Sequence, residues 1–159
     1  MVTDMDKQKI LSLLIVQLSE RQATLIRSRD DTRAMARDAP GANQSHSDTS
    51  KSQLSNVQLE LDRVNTEITL AISRLHQLQP QPSDKIKIGA IFALKRLGDE
   101  EQAKRFFMVP AGGGETINVD ELTVVSISTT APLSRLCLGK EEGDEIEWAG
   151  KVYEILGVE

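Results

Sequence analysis

Two aspartates flank a stretch of turn-forming residues near position 40, and carboxylates are the side chains that bind hard divalent cations. Asp38 precedes Pro40-Gly41, and Asp48 follows on the other side of the stretch. Mg²⁺ requires octahedral oxygen coordination, so two carboxylates alone would hold it weakly and a second macromolecule would have to supply other ligands. Helix capping and loop solvation explain two aspartates at such a place at least as well.

A basic stripe is the second candidate for chemistry. Arg29, Arg33 and Arg37 recur every fourth residue, which places them on one face of a helix. Such a stripe can follow the phosphates of an RNA strand that another macromolecule brings to it. A solvated helix face, partly paired with Asp30 and Asp31, is the alternative interpretation.

Other signals of catalysis are missing from the sequence. It contains no phosphate-binding loop, no Cys-x-x-Cys pair and no histidine cluster at metal-ligand spacing. The glycines at 112–114 precede a β-like segment rather than a helix, which predicts a flexible turn. The sequence contains three phenylalanines, one tryptophan and one tyrosine, which are few for an aromatic ligand pocket, and alternate sheet positions should scatter these rings.

Two long helices must position the carboxylates and the stripe. Apolar residues recur at the a and d positions of four heptads, which is the spacing of a coiled-coil seam. The predicted seam consists of Leu54, Val57, Leu61, Val64, Ile68, Ala71, Leu75 and Leu78. A matching upstream register, interrupted at Arg21 and Ser28, consists of Leu11, Leu14, Leu18, Leu25 and, more weakly, Thr32 and Met35.

The two helical segments are predicted to pair within one chain. Pro40 and Gly41 stop the first helix, and segments of similar length with matching seams form an antiparallel hairpin. We therefore predict a hairpin over residues 1–79 with its tip at about 38–48; a parallel dimer through the second helix is the alternative. Because the seam loses its leucines towards the loop, we expect a firmly packed base and a weakly held tip.

A β-rich domain is predicted after the hairpin. Residues 80–84 contain two prolines and predict an extended linker. In residues 85–159, apolar and β-branched segments are separated by turn signals, and a short helix is predicted between Pro132 and Leu138. The predicted strands are 85–95 with a bulge at Gly89, 105–109, 122–128, 145–148 and 152–156. The fold class is thus α+β.

Charge and composition narrow the functional classes. The formal net charge is −5, and all of the acidic excess lies after residue 79, which argues against a protein that binds free duplex DNA. Cys137 is the single cysteine, so no disulfide can form within the chain. No apolar run approaches the length of a membrane span, and a signal peptide is not indicated. These features predict a cytoplasmic monomer with no membrane contact.

The segment from Ile127 to Ile146 resembles the closing motif of the bacterial Gre-type transcript-cleavage factors. The family pattern is a strand, then Ser-Pro-Leu-x-x-x-Leu-x-Gly-Lys-x-x-Gly-Asp, then a β-hairpin. The matching residues here are Pro132, Leu133, Gly139, Lys140, Gly143 and Asp144. Leu138 matches the second leucine of the pattern with an offset of one position, and Ala131 stands where the family usually has serine. The stretch 44–51 is similar to the Gln-Ser-x-x-Asp-Thr-x-Lys segment of divergent family members.

The resemblance implies a function in transcription elongation. It implies an FKBP-like domain that docks at the rim of the secondary channel of bacterial RNA polymerase, through the matching motif residues and an exposed apolar end around Pro132 and Leu133. It implies that the hairpin reaches the polymerase active site, where Arg29, Arg33 and Arg37 would contact backtracked RNA. In cleavage-active members two tip acids help to hold a second Mg²⁺; here Asp48 matches, and Asp38 is its nearest possible partner.

Catalysis in that family belongs to the polymerase, so the chain is expected to be an accessory factor, with no cofactor of its own beyond a shared Mg²⁺. A secondary-channel occupant that modulates transcription without cleavage is one alternative. A peptidyl-prolyl isomerase and a coiled-coil adaptor are alternatives from other classes.

Overall fold

Two long helices precede a six-stranded sheet and one short helix in the computed structural model, which describes residues 7–38, 46–100 and 102–159. The helices are α1 (Lys7–Asp38), α2 (His46–His76) and α3 (Pro132–Cys137). The strands are β1 (Ile91–Arg96), β2 (Lys104–Val109), β3 (Thr116–Val119), β4 (Leu122–Ser128), β5 (Glu145–Trp148) and β6 (Lys151–Val158). The α+β class, with a helical hairpin before a β-rich domain, is confirmed.

Helices α1 and α2 pack against each other in antiparallel orientation. Gln22 on α1 donates from Nε2 to Thr69 Oγ1 at 2.7 Å and to Asn65 Oδ1 at 3.2 Å, while Arg29, further along α1, faces Asp62, which is earlier on α2. Fully buried seam residues occur only at the base of the described hairpin, from Ile10 to Leu18 on α1 and from Ile68 to Leu75 on α2. The expectation of a firm base and a weaker distal seam is confirmed for this part of the chain.

The seam of α1 shifts by one residue after Leu18. Gln22 and Arg29 are partly buried, whereas Arg21 and Ser28, which the heptad register places in the seam, are exposed. The spacing is therefore 3-4-4-3-4-3 from Leu11 to Thr32, a local departure from the heptad that rotates the contact stripe around the helix. Met35, predicted to continue the seam, is 67% exposed, so that part of the prediction is wrong.

The seam of α2 follows the prediction with one exception. Val57 is 48% exposed, and Gln58 takes the inward position in its place. The other seven predicted residues are buried or partly buried: Leu54, Leu61, Val64, Ile68, Ala71, Leu75 and Leu78.

The sheet has the strand order β3-β4-β2-β1-β6-β5. All neighbouring strands pair antiparallel except β2 and β4, which run parallel, with Phe106 opposite Val125. The chain reaches this parallel arrangement by passing through β3 at the edge of the sheet. At the opposite edge, Ala149 and Gly150 both have positive φ, of 52° and 71°, as a two-residue type I′ hairpin between β5 and β6 requires.

The strand predictions differ from the structure mainly at their ends. Strand β1 begins at Ile91 rather than at residue 85, because residues 87–90 form a turn in which Ala90 N–H donates to Lys87 C=O at 3.0 Å. Gly89 belongs to this turn, with φ of 88°, and the register irregularity lies instead between Ala93 and Leu94. The predicted bulge at Gly89 is therefore wrong.

The two faces of the sheet are covered by different elements. The base of the hairpin packs on one face, where Leu14 and Leu75 belong to the same buried cluster as Phe107 and Val124. Helix α3 packs on the other face through Leu133 and Cys137, and its position confirms the short helix predicted between Pro132 and Leu138. Residues 85–159 thus do not enclose both halves of their own core, since one face is completed by α1 and α2.

Candidate functional site

The hairpin tip lies largely outside the described residues. Asp38 is the last residue of α1 and is exposed, and Asp48 belongs to the first turn of α2. The side chain of Asp48 lies outside what the structure describes. The predicted carboxylate pair and the segment 44–51 as a unit therefore lie outside it as well. Among the described residues there is no group of three His, Cys, Asp or Glu side chains with metal-binding proximity.

The three arginines of the predicted stripe do not have the same environment. Arg33 and Arg37 are exposed on α1. Arg29 instead turns towards α2, with Nη1 3.6 Å from Asp62 Oδ1 and Nη2 3.5 Å from Asp30 Oδ1, and its buried Nε has no hydrogen-bond partner. The prediction of one shared solvent face is wrong for Arg29, because the seam shift after Leu18 brings this position between the helices. Arg33 and Arg37 form the exposed cationic surface of this part of α1.

The hairpin is seated on the glycine turn at 112–114. A Cβ atom added to Gly112 would lie 2.9 Å from Leu18 Cδ1 on α1 and 3.4 Å from Leu75 Cδ1 on α2. One at Gly113 would lie 2.5 Å from the backbone nitrogen of Ser128. The predicted flexible turn is therefore a closely packed one, and glycine is required because both helices and a strand approach its backbone.

Ser126, which lies on strand β4, fixes the shape of this turn. Its side chain is fully buried, and Oγ donates to Gly112 C=O at 2.7 Å while accepting from Glu115 N–H at 3.0 Å. The backbone of Gly114 adds a hydrogen bond to Ser126 C=O at 2.7 Å. A buried hydroxyl with these partners satisfies its hydrogen-bonding capacity and holds the turn against β4.

Polar contacts surround the apolar seat. Arg21 forms an ion pair with Glu115 at 2.7 Å, Gln17 Nε2 donates to Thr116 C=O at 3.1 Å, and Lys9 lies 3.5 Å from Asp120. Lys7 Nζ donates to Gln81 C=O at 3.0 Å, and burial lowers the pKa of this ammonium. These contacts follow one side of α1 for about four turns, so they fix the direction of the helix relative to the sheet.

The closing motif forms α3 and the turn that follows it. Pro132 is exposed at the first turn of α3, a position at which proline lacks only an N–H that would be unpaired in any case. Leu138 is 54% exposed and Lys140 is partly exposed, whereas Leu133 is only 8% exposed and belongs to the core under α3. The expectation of an exposed apolar end around Pro132 and Leu133 is therefore wrong for Leu133.

Three other motif residues have clear roles in the turn. Gly139 and Gly143 have φ of 79° and 87°, a region that side chains disfavour. Asp144 accepts at Oδ2 from Glu141 N–H at 2.9 Å, and its backbone N–H donates to Glu141 C=O at 3.1 Å. The regular spacing of these residues reflects at least in part the backbone geometry of this turn.

A groove beside α3 brings together rings that were expected to be scattered. Phe106, Trp148 and Tyr153 line a cavity of about 520 Å³ on the α3 side of the sheet. Its other lining residues are Leu94, Arg96, Gln102, Lys104, Val125, Leu133 and Lys151. The rings converge because 106, 148 and 153 each fall on the same face of three different strands. The signal in the sequence is the alternation of side chains between the two faces of each strand. It predicts that the rings meet only when the strand order is known.

No family model and no curated protein matches the chain. Among solved structures, the chain is similar to the crystal structure of GreA factor homolog 1 (Gfh1) of Thermus thermophilus, with 12% identity, 94% of each chain covered and a TM-score of 0.39. It is also similar to a structure described as the transcription factor Gfh1 (15% identity, 94% of this chain and 92% of that chain, TM-score 0.37) and to Thermus aquaticus Gfh1 (15%, 91% and 90%, 0.35). At these identities and TM-scores, the fold assignment rests on the helices and strands of the chain itself.

No helix in the described ranges is long and apolar enough to cross a membrane.

Proposed function

We propose that this protein is a Gre-type regulator of transcription elongation that binds bacterial RNA polymerase and places its helical hairpin in the secondary channel. The observation that carries the proposal is the combination of the closing motif, which resembles that of the Gre family, with a hairpin seated on the same sheet. The turn at Gly112 and the ion pair between Arg21 and Glu115 orient α1 from the sheet. A domain that docks on a partner could therefore direct the hairpin.

The distal hairpin fits a role inside a crowded polar channel. Beyond Arg21, residues 22–38 of α1 extend about 25 Å at the usual helical rise. The seam here contains Gln22 and Arg29 in place of leucine, and Arg33 and Arg37 face outward. Exposed guanidinium groups are suited to RNA phosphates, which would be contacted once docking brings the strand near.

A docking experiment tests the proposal. Fluorescently labelled full-length chain is titrated with core RNA polymerase, and Leu138→Asp is compared with Leu97→Asp. Both leucines are exposed, at 54% and 42%, but only Leu138 belongs to the closing motif. We expect Leu138→Asp to weaken binding at least about tenfold, equivalent to about 1.4 kcal/mol, with Leu97→Asp unchanged. Absence of saturable binding by the unmodified chain would reject the proposal; equal effects of both variants would reject the assigned surface.

A stalled elongation complex then distinguishes the two forms of the proposal. If the chain stimulates cleavage of backtracked RNA, it is a cleavage factor; if it binds without cleavage, it is a channel occupant. Arg33→Glu with Arg37→Glu should reduce crosslinking to the RNA 3′ segment in either form. Arg27→Glu with Arg74→Glu serves as the charge-matched control, because both arginines are exposed and lie outside the stripe.

The second candidate is a peptidyl-prolyl isomerase, because three rings line one groove beside α3. Acceleration of cis–trans exchange in a proline-containing peptide would support it. A rate equal to the uncatalysed rate, together with polymerase binding, leaves the elongation regulator as the function.

A further inference from the structure

The groove beside α3 has an unusual chemical character for this domain. Residues 80–159 contain nine Lys or Arg and fourteen Asp or Glu, yet three of the nine bases, Arg96, Lys104 and Lys151, line the groove, and none of the lining residues that the structure describes is acidic. Lys104 and Lys151 are exposed, and Arg96 is partly exposed while paired with Asp99 at 3.1 Å. The groove is therefore a local cationic site on an acidic domain.

The floor of the groove is apolar and consists of buried or partly buried side chains. Leu94 and Leu133 are buried, Val125 is partly buried, and Phe106 stacks on Phe92 with ring centroids 5.6 Å apart. This floor offers mainly aliphatic and ring-edge surface, which suits an apolar side chain better than a charged one.

Trp148 and Tyr153 form an aromatic wall of the groove, in which the partly exposed Trp148 ring packs beside Tyr153. Trp148 is 41% exposed, and its ring centroid lies 6.4 Å from that of Tyr153 at an angle of 55°. A volume of about 520 Å³ is within the usual range for ligand clefts. Rings that are already positioned lose little conformational entropy when a ligand binds.

We propose that this groove binds a short acidic peptide segment of a partner protein, with one apolar side chain inserted between Trp148, Phe106 and Leu133 and neighbouring carboxylates paired with Lys104 and Lys151. The inference does not depend on the partner being RNA polymerase. A peptide matches both the apolar floor and the cationic rim within the dimensions of the groove.

Single-stranded RNA is the less favoured occupant. Rings and cations also form base-stacking sites, but an RNA strand continues beyond the groove and would meet the acidic surface of the domain.

The experiment begins with short random peptides displayed on phage and selected on the immobilised full-length chain. Enriched sequences are synthesised with a fluorescein label, and affinity is measured by anisotropy. We expect an apolar residue beside Asp or Glu in the enriched sequences, and weaker binding as salt is raised.

Variants connect this binding to the groove. Lys104→Glu with Lys151→Glu, and separately Trp148→Ala, should each lower peptide affinity at least about tenfold. Lys95→Glu with Lys87→Glu is the control with the same change of charge. Lys95 is exposed on β1 between groove residues Leu94 and Arg96 but points to the other face of the sheet, and Lys87 is exposed outside the groove. Circular dichroism melting confirms that the variants fold.

Three outcomes would overturn the proposal. They are no enrichment above an uncoated support, enriched peptides that bind the double lysine variant as tightly as the unmodified chain, and groove-dependent binding of labelled oligouridylate in place of peptide. Enrichment of proline without acidic neighbours, with loss of binding in Trp148→Ala alone, would instead assign the groove to the isomerase candidate.

Discussion

Asp48 is the residue on which any cleavage activity depends under the proposed function. It lies in the first turn of α2, where the partial positive charge of the helix end favours a carboxylate. Asparagine has nearly the same size and removes the charge. The substitution therefore separates metal chemistry from helix stability.

We expect Asp48→Asn to fold and bind polymerase normally. Stimulated cleavage in a stalled complex should fall at least about tenfold, or about 1.4 kcal/mol of transition-state stabilisation. The readout is the rate of RNA shortening at saturating protein, with Asp38→Asn in parallel because Asp38 is the other candidate acid. Unchanged cleavage in both variants would contradict a role for the tip carboxylates.

Sequence information was sufficient for some residues and not for others. Gly139, Gly143 and Asp144 were selected because they match the closing motif of the Gre family, and their turn geometry is a local property of the backbone. The burial of Leu133 could not be predicted in this way, since its neighbours come from strands distant in sequence. Cys137 illustrates the same limit: it is fully buried on the inner face of α3, and burial raises the pKa of its thiol to about 11.

At the scale of the element, the seam shift in α1 gives Arg29 an unfavourable position. Its guanidinium is partly buried, its Nε is unpaired and its ion pair with Asp62 is long, at 3.6 Å. Replacing a poorly compensated charge in such a seam with an apolar side chain is usually neutral or stabilising. Leucine would also continue the apolar stripe that Leu18 and Leu25 begin.

We therefore expect Arg29→Leu to raise the thermal midpoint relative to Arg33→Leu. Arginine and leucine have similar helix propensity, and Arg33 is exposed, so the second variant controls for the change of residue type. A gain of about 1 kcal/mol corresponds to about 2–4 °C in a chain of this size. A lower midpoint for Arg29→Leu would show that the ion pair with Asp62 stabilises the hairpin.

Local signals located the elements better than their partners. The Ala149-Gly150 turn and the bounds of β4 and β5 were predicted, because turn chemistry and alternation lie within a few residues. The parallel pairing of β2 with β4 was not, since it depends on β3 taking the edge of the sheet. The clustering of the groove rings was missed for the same reason.

At the scale of the molecule, the hairpin and the sheet share one buried cluster around Gly112. A signal for this contact is present in α1, where the apolar stripe from Ile10 to Leu18 is wider than an a and d seam requires. Helix pairing alone accounts for part of that width, and the sheet accounts for the rest. The heptad interpretation considered only the first partner.

Gly112→Ala, compared with Gly114→Ala, tests the seat. Both glycines have positive φ, of 79° and 93°, so alanine has a similar backbone cost of about 1 kcal/mol at each. Only at Gly112 does the new methyl group meet Leu18 and Leu75, and overpacking there should add about 1–3 kcal/mol.

The measurement is the thermal midpoint of both variants, and we expect Gly112→Ala to melt at least about 3 °C below Gly114→Ala. Equal midpoints would mean that the helices move away from the turn at little cost. Loss of the Arg21–Glu115 ion pair would not produce this difference, because neither glycine contributes to it directly.

The division of the sheet between α1–α2 and α3 has a consequence for synthesis on the ribosome. The hairpin leaves the exit tunnel first. At that time Leu14 and Leu75 cannot yet pack against Phe107 and Val124 of the sheet, because these residues are translated later. Until β4 emerges, the nascent hairpin presents an apolar base that other nascent chains or chaperones can bind. Translation pauses between residues 76 and 128 would therefore prolong an aggregation-prone state, whereas pauses after β4 would not.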